Sequence, residues 1–185
     1  MKKVFIFLAN GFEETEAVTT IDLLRRGGLD AISVSVSDKK EVTGAHGISV
    51  IADNLFSEVD FSQGEMLVLP GGMPGASNLN SHSGLKNILN QYAAENKKIA
   101  AICAAPLILG GLELLQGKQA TAYPGFENTL LGAHFVEKAV VKDGNIITGR
   151  GPGLAIDFGL AIVEELLGKK KADEVASGLL YITKL

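Results

Sequence analysis

The chain has 185 residues, 46% of them hydrophobic, and a formal net charge of −4. Such an apolar fraction supports one sizeable core and excludes disorder, and the interspersed charges offer no basic stripe for nucleic acid beyond Lys169-Lys170-Lys171. No apolar stretch is long enough to span a bilayer, and a single cysteine permits no internal disulfide, which fits a reducing, cytoplasmic setting.

The apolar run of residues 1–9 stops at Asn10-Gly11, before an acidic cluster, and reads as a first core strand, Val4–Leu8, rather than a targeting segment. Thr15–Gly27 follows as a helix. Ala17, Val18, Ile21 and Leu24 are spaced for one buried face, and Gly27-Gly28 ends it. Ala31–Ser37 is strand, and Val42–Ile51 is a small hairpin turning at Gly44–Gly47. Met66–Leu69 is a short buried strand closed by Pro70-Gly71-Gly72. Helix returns at Gly84–Asn96, strand at Ile99–Ile102, and helix from Pro106 to about Leu115. Ala120–Tyr123 and Ala139–Val141 read as strands, the latter hairpinned to Ile146–Thr148. Leu154–Leu167 and Ala172–Ser177 close the chain as helices.

Strand and helix alternate with no linker or repeat, so a single domain over residues 1–185 is expected. Its fold class is an α/β sandwich, a mostly parallel sheet with helices on both faces. In such sheets ligand sites collect beyond the carboxyl ends of the strands. Three segments end strands there: Asn10–Glu14, Pro70–Gly75 and Cys103.

Cys103 is the only cysteine, and it sits between a buried strand and a helix opened by Ala104-Ala105-Pro106. Proline suits a helix's first turn, and a side chain at that junction faces the new helix's amides and dipole, which favour a thiolate. The alternative is a small buried hydrophobe. Glu13 and Glu14 read as ordinary dipole partners of the first helix. Glu16 differs, because it lies next to Ala17 and Val18, one turn before Thr20, so that its side chain can share the helix's inward face, and an inward carboxyl needs a partner. A Cys103–Glu16 pair disfavours double ionisation and tends to hold one proton between its members. The glycines at 71 and 72 allow close backbone approach, either as a tight turn or as an oxyanion hole made with the Ala104 amide. The segment lacks the Lys-Ser/Thr of a P-loop and misses the dinucleotide pattern, so nucleotide binding is rejected. His46, His82 and His134 make no metal-ligand spacing with one cysteine, so neither metal nor cofactor is expected. His134, then His46, are the histidines best placed to approach the thiol, and Gly149–Gly153 reads as a connector.

Four blocks, EETEAVTTIDLLRRGG (13–28), VLPGGMPGA (68–76), AAICAAP (100–106) and GRGPGLAIDFGLAIVEEL (149–166), together resemble the ThiJ/PfpI superfamily. The match is closest to the branch of the bacterial ThiJ/YajL-type proteins and the parkinsonism-associated protein deglycase. The resemblance implies a flavodoxin-like fold, a homodimer, and Cys103 as nucleophilic, oxidisable thiol beside Glu16. It implies Gly72 and Ala104 as backbone oxyanion donors, with Gly71 in the same loop, and Arg26 at a dimer interface near the cysteine. His134 lies near the family's site-lining histidine, and His46 stands where some members carry an arginine. The peptidase branch has histidine directly after the cysteine; Ala104 holds that place here, which argues against a peptidase or amidase. The implied activity is a glyoxalase or deglycase acting on dicarbonyls such as methylglyoxal, or on glycated substrates, without glutathione. The alternative is a redox-sensing stress protein or chaperone using Cys103 oxidation.

Overall fold

A computed structural model describes residues 1–181. Its strands are β1 (Lys3–Leu8), β2 (Asp30–Ser35), β3 (Glu41–Thr43), β4 (Ser49–Ile51), β5 (Asn54–Leu55), β6 (Gly64–Leu69), β7 (Lys98–Ile102), β8 (Gln119–Ala120), β9 (His134–Phe135), β10 (Val140–Asp143) and β11 (Ile146–Gly149). Its helices are α1 (Glu14–Gly27), α2 (Gly75–Ser81), α3 (Ser83–Ala94), α4 (Pro106–Gly111), α5 (Ala155–Leu167) and α6 (Lys169–Gly178). Seven strands form one sheet in the order β10-β11-β7-β6-β1-β2-β5, all parallel except β10. Counting only β1, β2, β6, β7 and β11 in chain order, the arrangement is 2-1-3-4-5, the flavodoxin-like order.

The strands are buried on both faces, and side-chain alternation divides the core in two. Val4, Ile6 and Leu8 of β1, with Met66, Val68, Ala100 and Ile102, face the layer of α1, α5 and α6. Phe5, Phe7, Leu67, Leu69, Ile99 and Ala101 face α3 and α4 on the other side. Tyr92 of α3 is fully buried there and donates its hydroxyl hydrogen to the Phe61 carbonyl at 2.6 Å. The expected α/β sandwich with helices on both faces is therefore the observed one.

Several local expectations need correction. The buried side of α1 is Glu16, Ala17, Thr20, Leu23, Leu24 and Gly27; Val18 is 50% exposed and Ile21 only partly covered. Docking on α5 and α6 turns the helix so that Gly27 meets Val163, which carries Val18 to the outside. Helix α4 stops at Gly111, short of Leu115. Gly110 lets the Thr129 carbonyl cross where a Cβ would stand at 2.1 Å, and the chain turns through Glu113 at φ 60°. The strand expected at Ala120–Tyr123 shrinks to Gln119–Ala120, because the Thr121 N–H is taken by Thr148 Oγ1 at 2.9 Å. Strand β2 ends at Ser35 rather than Ser37, where the two hydroxyls meet each other and the Lys39 carbonyl. Helix α2 and strands β5 and β9 carry no periodic signal and are found only in the structure.

Strands β7, β6 and β1 are neighbours, so their carboxyl ends deliver Cys103, the Pro70–Gly75 loop and the Asn10–Glu13 loop to one spot. That spot includes the β1/β6 boundary, where the chain order of the parallel strands reverses.

Candidate active site

Cys103 follows β7 directly and adopts φ 65°, a left-handed conformation that costs a non-glycine residue roughly 1–3 kcal/mol. Neighbouring backbone holds it there. Its N–H donates to Gly149 O at 2.9 Å, its carbonyl accepts from Tyr123 N–H at 2.9 Å, and Ala105 N–H donates to Ile102 O at 3.0 Å. At this sharp turn the Gly72 and Ala104 amides lie near enough to the sulfur to favour its charged form.

Glu16 reaches the same sulfur from α1. Its side chain is fully buried, and Oε2 accepts from Gly71 N–H at 2.7 Å. Oε1 has no hydrogen-bond partner among the described residues, and the Cys103 thiol lies close enough to lower the carboxyl's pKa. Gly71 is what lets them meet. A Cβ there would stand 2.6 Å from Cys103 Cβ and 2.8 Å from Glu16 Oε2. Gly72 has φ 88°, and a Cβ on it would stand 2.3 Å from the Glu13 nitrogen. Two adjacent glycines thus serve different needs: one leaves room for the dyad, the other packs against the Asn10–Glu13 loop.

Burial pushes the Glu16 carboxyl up to about 7, against the Gly71 N–H and the thiol, which lower it. Burial, then the charge and hydrogen bond of Glu16, push the Cys103 thiol up to about 12, against the Gly72 and Ala104 amides. The expected bias toward a thiolate is overturned: Cys103 is only 8% exposed, and α4 has just six residues. Because both ionise to anions and they are packed together, the two groups lose their protons one at a time, and over a wide range hold one proton between them.

The other expected residues are dispersed. His46 lies in the hairpin turn with its ring Nδ1 2.9 Å from Glu14 Oε2 and 3.5 Å from Glu13 Oε2. These three side chains bring one possible ligand atom each within 4.8 Å of one another. Burial works to raise Glu14, but hydrogen bonds from the His46 ring and from the His46 and Ile48 amides outweigh it and hold the carboxyl at about 2. Glu14 is thus a buried structural acceptor as well as a first-turn acid. Arg26 pairs with Asp22 at 2.6 Å and borders a shallow cleft with Lys171 and Glu174 of α6, away from the thiol. His134 is exposed on β9, bonded through its N–H to Lys118 O, and no hydrogen bond among the described residues joins it to Cys103. The residue whose backbone meets Cys103 is Tyr123, 44% exposed, with its ring lying over Gly151. Nothing local in the sequence marks Tyr123, because its place depends on how the chain returns after α4.

Residues 2–165 match the DJ-1/PfpI family. The chain belongs to it. An Arabidopsis thaliana relative named DJ-1 homolog A is 45% identical over 182 residues, which are 97% of this chain and 46% of that protein. The chain thus spans less than half the length of this relative and of its Arabidopsis paralogue, homolog B. Drosophila melanogaster dj-1beta is 37% identical and is covered over 97% of both chains. A protein of Pyrococcus horikoshii named a deglycase is 33% identical over 81% of this chain and 90% of its own length. Among solved structures, oxidised Toxoplasma gondii DJ-1 superposes with a TM-score of 0.95 at 38% identity, covering 99% of this chain and all of that one.

Raising the Glu16 carboxyl from near 4.5 to about 7 has a measurable consequence for folding. A group whose pKa is raised by folding contributes stability that is fully present below its unfolded value and lost as pH climbs to the folded one. The stability conferred by Glu16 therefore falls by about 3 kcal/mol between pH 4.5 and 7. In urea unfolding across that window, wild type loses stability relative to Glu16→Gln. A pH-independent difference between the two proteins contradicts the raised carboxyl.

Proposed function

We propose that this protein is a cysteine-dependent glyoxalase or deglycase acting on methylglyoxal-type dicarbonyls or the glycation adducts they form. The observation that carries this reading is the packing of Cys103 and Glu16 against one another at Gly71, where a Cβ would stand 2.6 Å from one side chain and 2.8 Å from the other. With one proton in the pair, moving it from sulfur to carboxyl generates a thiolate without taking a proton from solvent. The thiolate attacks the aldehyde carbon, forming a C–S bond, and the carbonyl electron pair goes to oxygen. The Gly72 and Ala104 N–H groups face the charge that develops on that oxygen, and Glu16 supplies its proton. Glu16, now a carboxylate, takes the hydrogen from the same carbon as a proton, giving an enediolate, and returns it to the neighbouring carbon while the first hydroxyl's proton passes to the second oxygen. The resulting lactate thioester is cleaved by water, which restores the thiol. Methylglyoxal and one water become lactate, with no redox partner and no glutathione. Burial of the dyad suits the step, since a carboxyl near 7 serves as both acid and base at neutral pH. The DJ-1/PfpI relative named a deglycase supports the substrate class.

A second reading has its own support: the Toxoplasma relative is described as oxidised. Here Cys103 is oxidised by peroxide, and Glu16 hydrogen-bonds the sulfur–oxygen product. We assign a homodimer to the apolar groove where α1 and the β3–β4 hairpin adjoin, because Val18 and Ile51 are 50% and 71% exposed there. Sedimentation of Ile51→Asp is expected to give monomer; an unchanged mass contradicts that assignment.

Steady-state consumption of methylglyoxal without glutathione, with lactate quantified, tests the reaction. Cys103→Ser and Glu16→Gln are each expected to lower kcat by on the order of 10²-fold or more while remaining folded. Full turnover in Cys103→Ser overturns the mechanism. No turnover by reduced wild type, with two oxygens gained selectively at Cys103 under mild peroxide, favours the oxidation reading instead.

A further inference from the structure

We infer that Glu14 is a positioning residue, whose buried carboxylate clamps the turn of the β3–β4 hairpin onto the first turn of α1 and so sets the Gly71-Gly72 loop against the Cys103–Glu16 pair. The inference extends the reaction proposed above to a residue outside the dyad. A first-turn glutamate normally points to solvent and complements the helix dipole. Glu14 points elsewhere: it is 7% exposed, and its carboxylate is spent on the hairpin. Oε1 accepts from His46 N–H at 2.7 Å and from Ile48 N–H at 3.4 Å, and Oε2 lies 2.9 Å from His46 Nδ1. Gly44 makes the fit possible, since a Cβ there would stand 2.3 Å from the carboxyl carbon.

The hairpin needs such an anchor. Its two strands have three residues each and lie outside the main sheet, and an isolated two-stranded ribbon is marginal in water. Its inner side holds the loop of residues 10–13. Ala45 N–H donates to Phe12 O at 2.8 Å, Gly11 N–H to Thr43 O at 2.8 Å, and Thr43 N–H to Asn10 Oδ1 at 3.0 Å. The same loop backs the site from its other side: Glu13 N–H donates to Gly71 O at 2.9 Å and Gly75 N–H to Gly11 O at 3.0 Å. The loop is thus bonded on both sides, with Gly72 pressed against Glu13 and Phe12. A hairpin released from Glu14 leaves it fixed from the sheet side alone. The amides that serve Glu16 and Cys103 then lose their backing. Misplacement on the scale of an ångström is enough to lower a rate a hundredfold.

The test reads the thiol directly, by the pH profile of iodoacetamide alkylation of Cys103, beside kcat and KM for methylglyoxal. Glu14→Ala removes the clamp. Gly44→Ala forces the carboxylate off the turn while keeping its charge, at a position whose backbone conformation alanine adopts. Either variant is expected to raise the alkylation midpoint by about half a pH unit or more, as the Gly72 amide withdraws. Each is also expected to lower kcat roughly tenfold, with KM within about twofold of wild type. His46→Ala, which loses only the ring contact, is expected to give a smaller shift of the same sign. A wild-type midpoint in folded Glu14→Ala overturns the clamp, and if that variant fails to fold, a wild-type midpoint in Gly44→Ala does so. Because alkylation requires no turnover, a shifted midpoint in a protein inert toward methylglyoxal refutes the proposed reaction and leaves the clamp standing.

Discussion

A carboxyl and a thiol buried against each other, with room for one proton between them, is the constraint around which this structure is arranged. Neither group is comfortable in the place it occupies. Removing Glu16 from water disfavours its charge, and the same burial together with the Glu16 charge disfavours the thiolate. The opposing contributions come from backbone: the Gly71 amide on the carboxylate, and the Gly72 and Ala104 amides on the sulfur. A pair so placed can pass a proton across a short distance without exchanging it with solvent. That is the property which acid–base chemistry at a sulfur-bound carbon requires.

The rest of the fold can be understood as support for that contact. Three adjacent parallel strands end together, so a thiol, a glycine pair and a helix start converge without long connections. The thiol's backbone is held at φ 65° by bonds to Gly149 and Tyr123, which lie on separate returning segments. Strain of this size persists only where its surroundings over-determine it. Gly71 contributes by what it lacks, since the space a methyl group would fill is the space the dyad uses. The hairpin and its Glu14 anchor then brace the loop from outside.

Much of this was legible in the sequence, and the exceptions have physical causes. A strand, a lone cysteine and a proline three residues later marked the turn at Cys103, and spacing beside Ala17 and Val18, one turn before Thr20, marked Glu16, because both are local patterns. The expected thiolate was not borne out, since its pKa depends on burial and on a neighbour 87 positions away, neither of which a helix start reveals. Val18 and Ile21 have the spacing of a buried stripe, yet the rotation of α1 is set by docking on α5 and α6. Their exposure in turn locates an apolar face that periodicity alone could not distinguish from core. Tyr123 and the Glu14–His46 contact were unreadable for a third reason: each joins segments whose separation in the chain carries no register.

The direct test of the shared proton is the ultraviolet titration of the Cys103 thiolate in wild type and Glu16→Gln. Both variants retain the buried site, but only one keeps an ionisable neighbour. The account predicts a clearly lower thiolate midpoint in Glu16→Gln, because the carboxylate charge that holds the thiol up is gone. Equal midpoints would mean that the two groups titrate independently, and the one-proton dyad would be wrong.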